Sequence, residues 1–99
     1  MRVISVKKLK DFWENKNYGD SEQPLRAWYA EAKAAEWKNP NEIKEKYHTA
    51  SFVGNNRVVF NIKGNNYRLV VAVRYEFKIV YIRFIGTHEQ YDKIDAGGI

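Results

Sequence analysis

The chain contains no cysteine. Disulfide frameworks, cysteine-ligated zinc and thiol nucleophiles are therefore excluded. Two histidines are too few for a histidine-rich metal cage. No run approaches the ~18 uncharged apolar residues of a membrane helix. The start, Met1-Arg-Val-Ile-Ser-Val-Lys-Lys8, turns charged too soon for a secretory signal, so cytoplasmic residence and no membrane partner are expected. Internal repeats, low-complexity tracts and linkers are also missing. What remains is 99 residues, the size of one small domain spanning 1–99. Such a chain buries roughly 60–68% of its unfolded surface, enough for one core, which excludes a two-domain enzyme with a separate cofactor domain.

Charge is present and unevenly placed. Seventeen basic residues face twelve acidic ones, a net of +5. Between positions 57 and 83 six cations meet the single acid Glu76, which accounts for the whole excess. A basic segment interleaved with aromatics points either to a polyanion partner or to a solvated strand face.

The first half reads as helical. Met1–Ile4 can form a short strand. Ser5 is placed to cap a first helix carrying Val6, Leu9 and Trp13 at helical spacing, with Phe12 beside them. Asn15-Lys-Asn-Tyr-Gly19 looks like its exit. Asp20 reads as the next N-cap, with Gln23 completing a capping box and Pro24 in the first turn. Leu25, Trp28, Tyr29, Ala32 and Ala35 then form one apolar stripe, with Trp28 read as core. Asn39-Pro40 ends this helix and opens a short one, with Glu42 at its third position and Ile43 and Tyr47 one turn apart. Thr49 to Asn55 reads as a loop anchored by Phe52.

From Arg57 the period falls to two. Arg57–Ile62, Tyr67–Tyr75 and Ile79–Thr87 read as strands, joined by turns at Lys63-Gly-Asn-Asn66 and Glu76-Phe-Lys78. Short connections make them antiparallel neighbours. The expected fold is α+β, with N-terminal helices on one face of an antiparallel sheet of three to four strands and a short C-terminal helix. Alternation places Val58, Phe60, Ile62, Tyr67, Leu69, Val71, Val73, Val80, Ile82 and Phe84 on the helix-covered face. Arg57, Asn61, Lys63, Arg68 and Arg83 fall on the other. That second face is expected to be concave and basic, able to hold single-stranded RNA, with Arg57, Asn61 and Arg83 as RNA-binding residues. Ala96-Gly-Gly-Ile99 reads as a frayed tail.

Thr87-His-Glu-Gln90 repeats the capping-box pattern, placing His88 in the first turn of a C-terminal helix. Tyr91 and Asp92 follow one turn on, on the same side. A helix N-terminus favours phosphate and disfavours a protonated imidazole. A neutral histidine beside a bound phosphate is a general-base candidate, and Asp92 is placed to orient it. The alternative is a surface histidine bonded to Asp92. A metal set of His88, Asp92 and Glu89 has no partner cluster elsewhere. Ser5, Ser21 and Ser51 lie in no nucleophile elbow. No cofactor and no metal are expected.

Two segments carry a family resemblance. Arg57-Val-Val-Phe-Asn-Ile-Lys-Gly-Asn-Asn-Tyr-Arg-Leu-Val-Val-Ala-Val73 and Tyr81-Ile-Arg-Phe-Ile-Gly-Thr-His-Glu-Gln-Tyr-Asp-Lys93 resemble the HigB-type toxins of the RelE-like superfamily, most specifically over residues 57–93. The resemblance implies the toxin of a bacterial type II toxin–antitoxin pair, a metal-independent mRNA interferase acting on the ribosome. Its implied partner is a HigA-like antitoxin with a helix-turn-helix fold. It places Arg68 at the scissile phosphate and makes His88 and Tyr91 the counterparts of C-terminal catalytic groups. Related toxins commonly carry two lysines where this chain has Val59 and Asn61; Lys63 lies nearby, in the turn. The catalytic set expected is Arg68, His88, Tyr91 and Lys63. The rival expectation is a non-enzymatic RNA- or DNA-binding module, or a protein-interaction domain.

Overall fold

The computed structural model describes residues 1–99. The chain runs β1 (Arg2–Ile4), α1 (Lys7–Glu14), a 3-10 segment (Lys16–Ser21), α2 (Glu22–Ala34), α3 (Pro40–Lys46), β2 (Ser51–Val53), β3 (Arg57–Ile62), β4 (Tyr67–Arg74), β5 (Ile79–Thr87) and α4 (His88–Tyr91). This is the expected α+β arrangement. The sheet has five strands in the order β1-β5-β4-β3-β2. Strands β3, β4 and β5 are successive antiparallel neighbours. The short β1 lies parallel to β5, pairing only with Ile79–Tyr81. Strand β2 pairs antiparallel with β3 in the stretch expected to be a loop; three residues are too few to show alternation. Phe52 on it is 39% exposed rather than an anchor.

Helix starts follow local chemistry where nothing stronger competes. The Asn39 side chain accepts the Glu42 N–H at 3.1 Å with Pro40 at the first helical position, as expected. The first two caps differ. Ser5 sits at φ 71°, and its carbonyl, not its hydroxyl, accepts the Lys8 N–H; Val6 occupies the cap position of α1. Asp20 does not cap α2, which begins at Glu22 after Ser21. Its carboxylate is drawn away by Lys63 and Tyr67 from the far hairpin, a charge-assisted pairing that outcompetes a backbone N–H.

Leu9, Leu25, Trp28, Ala32 and Ile43 from the helices pack on Val58, Phe60, Leu69, Val71, Val73, Val80 and Ile82 from the sheet. Phe60 sits at the centre, its ring 5.5 Å from Trp28, 6.4 Å from Trp37 and 5.0 Å from Tyr47. The Met1 ammonium closes one edge by donating to the carbonyls of Ala32, Lys33 and Ala35, a cation at the C-terminal end of α2.

Two features of the second face correct the sequence reading. The first is a bulge. Val70 pairs with Phe84 but Val71 with Ile82, leaving Arg83 as the extra residue. One inserted residue reverses side-chain parity. Beyond it Ile85, not Phe84, packs with the helix-side core. Phe84 turns to the other face and packs with Val59 and Val70. The second is the tail. Ala96 is buried against Val59 and Val70, with Ile94 and Ile99 beside it. Asn55 donates to the Gly97 carbonyl at 2.6 Å and Arg57 to the Ile99 carbonyl at 2.6 Å. The expected frayed end therefore covers the middle of what was expected to be an open basic face.

Candidate nucleic-acid site at the β4–α4 corner

The site is built where the start of β4 meets the end of β5. The register puts Arg68 opposite Asn61 on one side and Gly86 on the other. Tyr67 lies opposite Thr87, so the chain enters α4 one residue beyond. Thr87 accepts the Gln90 N–H at 3.1 Å, and the Gln90 side chain accepts the Thr87 N–H at 2.9 Å. This completes the expected capping box. The His88 N–H donates to the Asn66 carbonyl of the β3–β4 turn at 3.3 Å, tying α4 to that turn.

Arg68, Tyr91, His88 and Asp92 thus gather at one corner. The Arg68 guanidinium carbon lies 5.4 Å over the Tyr91 ring, a cation–π distance. His88 Nδ1 is 3.3 Å from an Asp92 carboxylate oxygen, the i, i+4 contact expected from spacing. Arg68 takes part in none of the ion pairs. One terminal nitrogen donates to Asn65 Oδ1 at 3.5 Å, and its Nε is buried without a partner. A charged donor desolvated and left unmatched costs more than about 1–3 kcal/mol. Such a group is ready for an anionic acceptor.

The remaining expected residues are distributed differently. Asn61 neighbours Arg68 across the ladder. Lys63 is held away, its ammonium 2.6 Å from Asp20. That bond, followed by the one from Tyr67, keeps the Asp20 carboxyl below the usual range. Tyr67 is pushed up to about 12 by donating to Asp20, with burial adding to it. Arg57 stands at the other end of β3, four residues from Asn61, roughly 13 Å at strand spacing. Its guanidinium is spent on the carbonyls of Ile99 and Asn55. Arg83, on the bulge, is exposed and stacks over Tyr81 at 5.7 Å. No three His, Asp or Glu side chains converge as a metal site would require.

Gly86 is a site residue that sequence reasoning missed. A Cβ there would lie 2.5 Å from the Phe84 ring and 2.7 Å from Gln90 Oε1, so any larger residue has to push aside that ring and the side chain that caps α4. A lone glycine inside a strand was the available signal. Tyr18 is another, bonded through its hydroxyl to Gln90 Nε2 at 3.3 Å.

Comparison with known proteins gives the family. The family model HigB_toxin, the RelE-like toxic component of a toxin–antitoxin system, matches residues 21–94. The chain belongs to the HigB toxin family. The mRNA interferase toxin HigB of Escherichia coli K12 is 31% identical over 98 residues, 97% of this chain and 92% of that protein. The mRNA interferases HigB of Escherichia coli O157:H7 and Shigella flexneri match to the same extent. The HigB match spans every element from α2 to α4, and with it the whole β4–α4 corner.

Proposed function

We propose that this HigB-family chain is an mRNA interferase, a single domain over 1–99 acting in the cytoplasm on ribosome-associated mRNA. The observation that carries this reading is the Arg68 guanidinium, free of any acid partner and held over Tyr91, in the same short helix as His88. Cleavage proceeds without a metal. The 2′-oxygen attacks the adjacent phosphorus as a base removes its proton. The P–O5′ bond breaks as an acid protonates the leaving oxygen. The products are a 2′,3′-cyclic phosphate and a 5′-hydroxyl. Arg68 offsets charge on the phosphorane with paired donors that keep their charge. His88, oriented by Asp92, is one member of the acid–base pair and Tyr91 the other. Lys63, engaged by Asp20, is left the outer task of meeting a flanking phosphate. Asn61 positions the backbone beside Arg68; Arg57 serves the tail instead. The partner that silences the toxin is a HigA-like helix-turn-helix antitoxin.

Mapping RNA ends after brief induction tests the reading. The expected ends are cyclic phosphates and 5′-hydroxyls, with EDTA leaving cleavage unchanged. Undiminished growth arrest by a folded Arg68→Ala variant refutes it. A His88→Gln rate within about threefold of the parent removes His88 from the acid–base pair, which is worth on the order of 10²–10⁴ in rate. Binding that tolerates 2′-deoxy substrates and leaves no new ends marks the non-enzymatic alternative.

A further inference from the structure

Strand β1 covers β5 only as far as Tyr81. Beyond it, the outer edge of β5 has no strand partner, and α1 packs alongside. Between them lies an open groove of about 420 Å³, lined by Lys8, Asp11, Phe12 and Asn15 of the α1 side, by Tyr18, and by Arg83, Phe84 and Ile85 of β5. The proposal rests on the RNA-cleaving reading above. We propose that this groove is a subsite for one unstacked nucleotide flanking the cleaved bond.

Four observations carry it. The walls are aromatic: Phe12 and Tyr18 are stacked at 4.4 Å with planes 3° apart, and Phe84 closes the β5 side. Nucleobases stack on such surfaces whatever their sequence. The rim is cationic: Lys8 and Arg83 make no ion pair, while Asp11, the one acid, is taken by Lys7 at 2.8 Å. The base edge has a donor, because the Asn15 oxygen is occupied by the Asn17 N–H and its NH₂ group is free. The groove is also continuous with the catalytic corner. Phe84 lies 6.5 Å from Tyr91, Tyr91 lies under Arg68, and Tyr18 is bonded to Gln90 of α4. A strand whose phosphate sits at Arg68 therefore reaches the groove within roughly one or two nucleotides, far less than a single-strand binding domain usually spans. The bulge at Arg83 is what brings Phe84 to the face that carries Tyr91.

The test uses the full chain and a fluorescein-labelled single-stranded RNA decamer carrying 2′-deoxyribose throughout the central positions, so that it binds without being cut. Lys8→Glu with Arg83→Glu is expected to raise Kd at least about tenfold and to flatten its salt dependence by about two charges. Replacing each nucleotide in turn by an abasic one should weaken binding of the parent most at one position beside the central segment. Phe84→Leu, which removes the ring but keeps an apolar side chain against the tail, should erase that position's effect. Unchanged Kd in the charge variant, or the same abasic profile in Phe84→Leu, overturns the subsite. Loss of cleavage in Arg68→Ala alongside either result leaves the catalytic reading standing. Retained cleavage in Arg68→Ala fells that reading by itself.

Discussion

The two faces of the sheet are made from the same three strands and treated in opposite ways. On the helix side Val58, Phe60, Leu69, Val71, Val73, Val80 and Ile82 are apolar and sealed, with aromatic rings converging on Phe60. On the other side a small patch of Val59, Val70 and Ala96 is closed by a tail, and the remaining area holds Arg68 with an unmatched buried nitrogen. The helix side also leaves one buried donor unmatched, the neutral Trp28 Nε1, but the other side leaves a charged one at its corner, the costlier omission and one that binding sites commonly carry.

That contrast can be broken at either end. Phe60→Ala should have the largest effect on folding, a loss of about 3–5 kcal/mol, because the site is hemmed in by rings that cannot collapse inward; urea unfolding measures it. Arg68→Ala should reverse the pattern. Cleavage should fall by roughly 10²–10³, while unfolding stays within about 0.5 kcal/mol of the parent or improves, since an unsatisfied donor is removed. A large destabilisation would show Arg68 to be structural. Gly86→Ala should fall between the faces. The new methyl displaces the Phe84 ring and the Gln90 cap, costing about 1 kcal/mol of capping and lowering cleavage with it; paired melting and cleavage assays measure both.

The smallest effect concerns pH. Asp20 lies below its usual value, so its contribution is whole above the unfolded value of about 4 and disappears as pH falls through the folded one. Tyr67 lies above its own, so its share is whole below about 10 and disappears as pH rises toward the folded value of about 12. Asp20→Asn should lower the melting temperature near neutrality and flatten the profile at both extremes. Melting curves across pH measure it; an unaltered profile would discount the Lys63–Asp20–Tyr67 cluster.

The helices, the antiparallel strands and the α4 capping box were all legible, because each is written in local spacing. The contact between His88 and Asp92 was legible for the same reason. The misses share a different cause. Asp20 carries a genuine capping pattern, but its partners lie more than forty residues away. The β5 bulge leaves no mark in an apolar run such as Tyr81-Ile-Arg-Phe-Ile85. The tail docks through one small apolar residue, Ala96, with Ile94 and Ile99 beside it, and through the backbone oxygens of Gly97 and Ile99, none of which marks a docking segment in sequence. The charge of Arg57 was visible in the sequence; the two backbone oxygens its guanidinium bonds were not.

The surplus residue at position 83 has a consequence for recombining such toxins. The side on which the corner forms is set by the pairing of β5 with β4, not by the number of residues in the segment. Deleting Arg83 would straighten the strand and leave Phe84 opposite Val70 and Ile85 opposite Leu69, whereas flattening the bulge with Arg83 retained would send Phe84 inward and deliver α4 to the wrong side. Chimeras that exchange C-terminal halves should therefore be matched by strand pairing before they are matched by similarity.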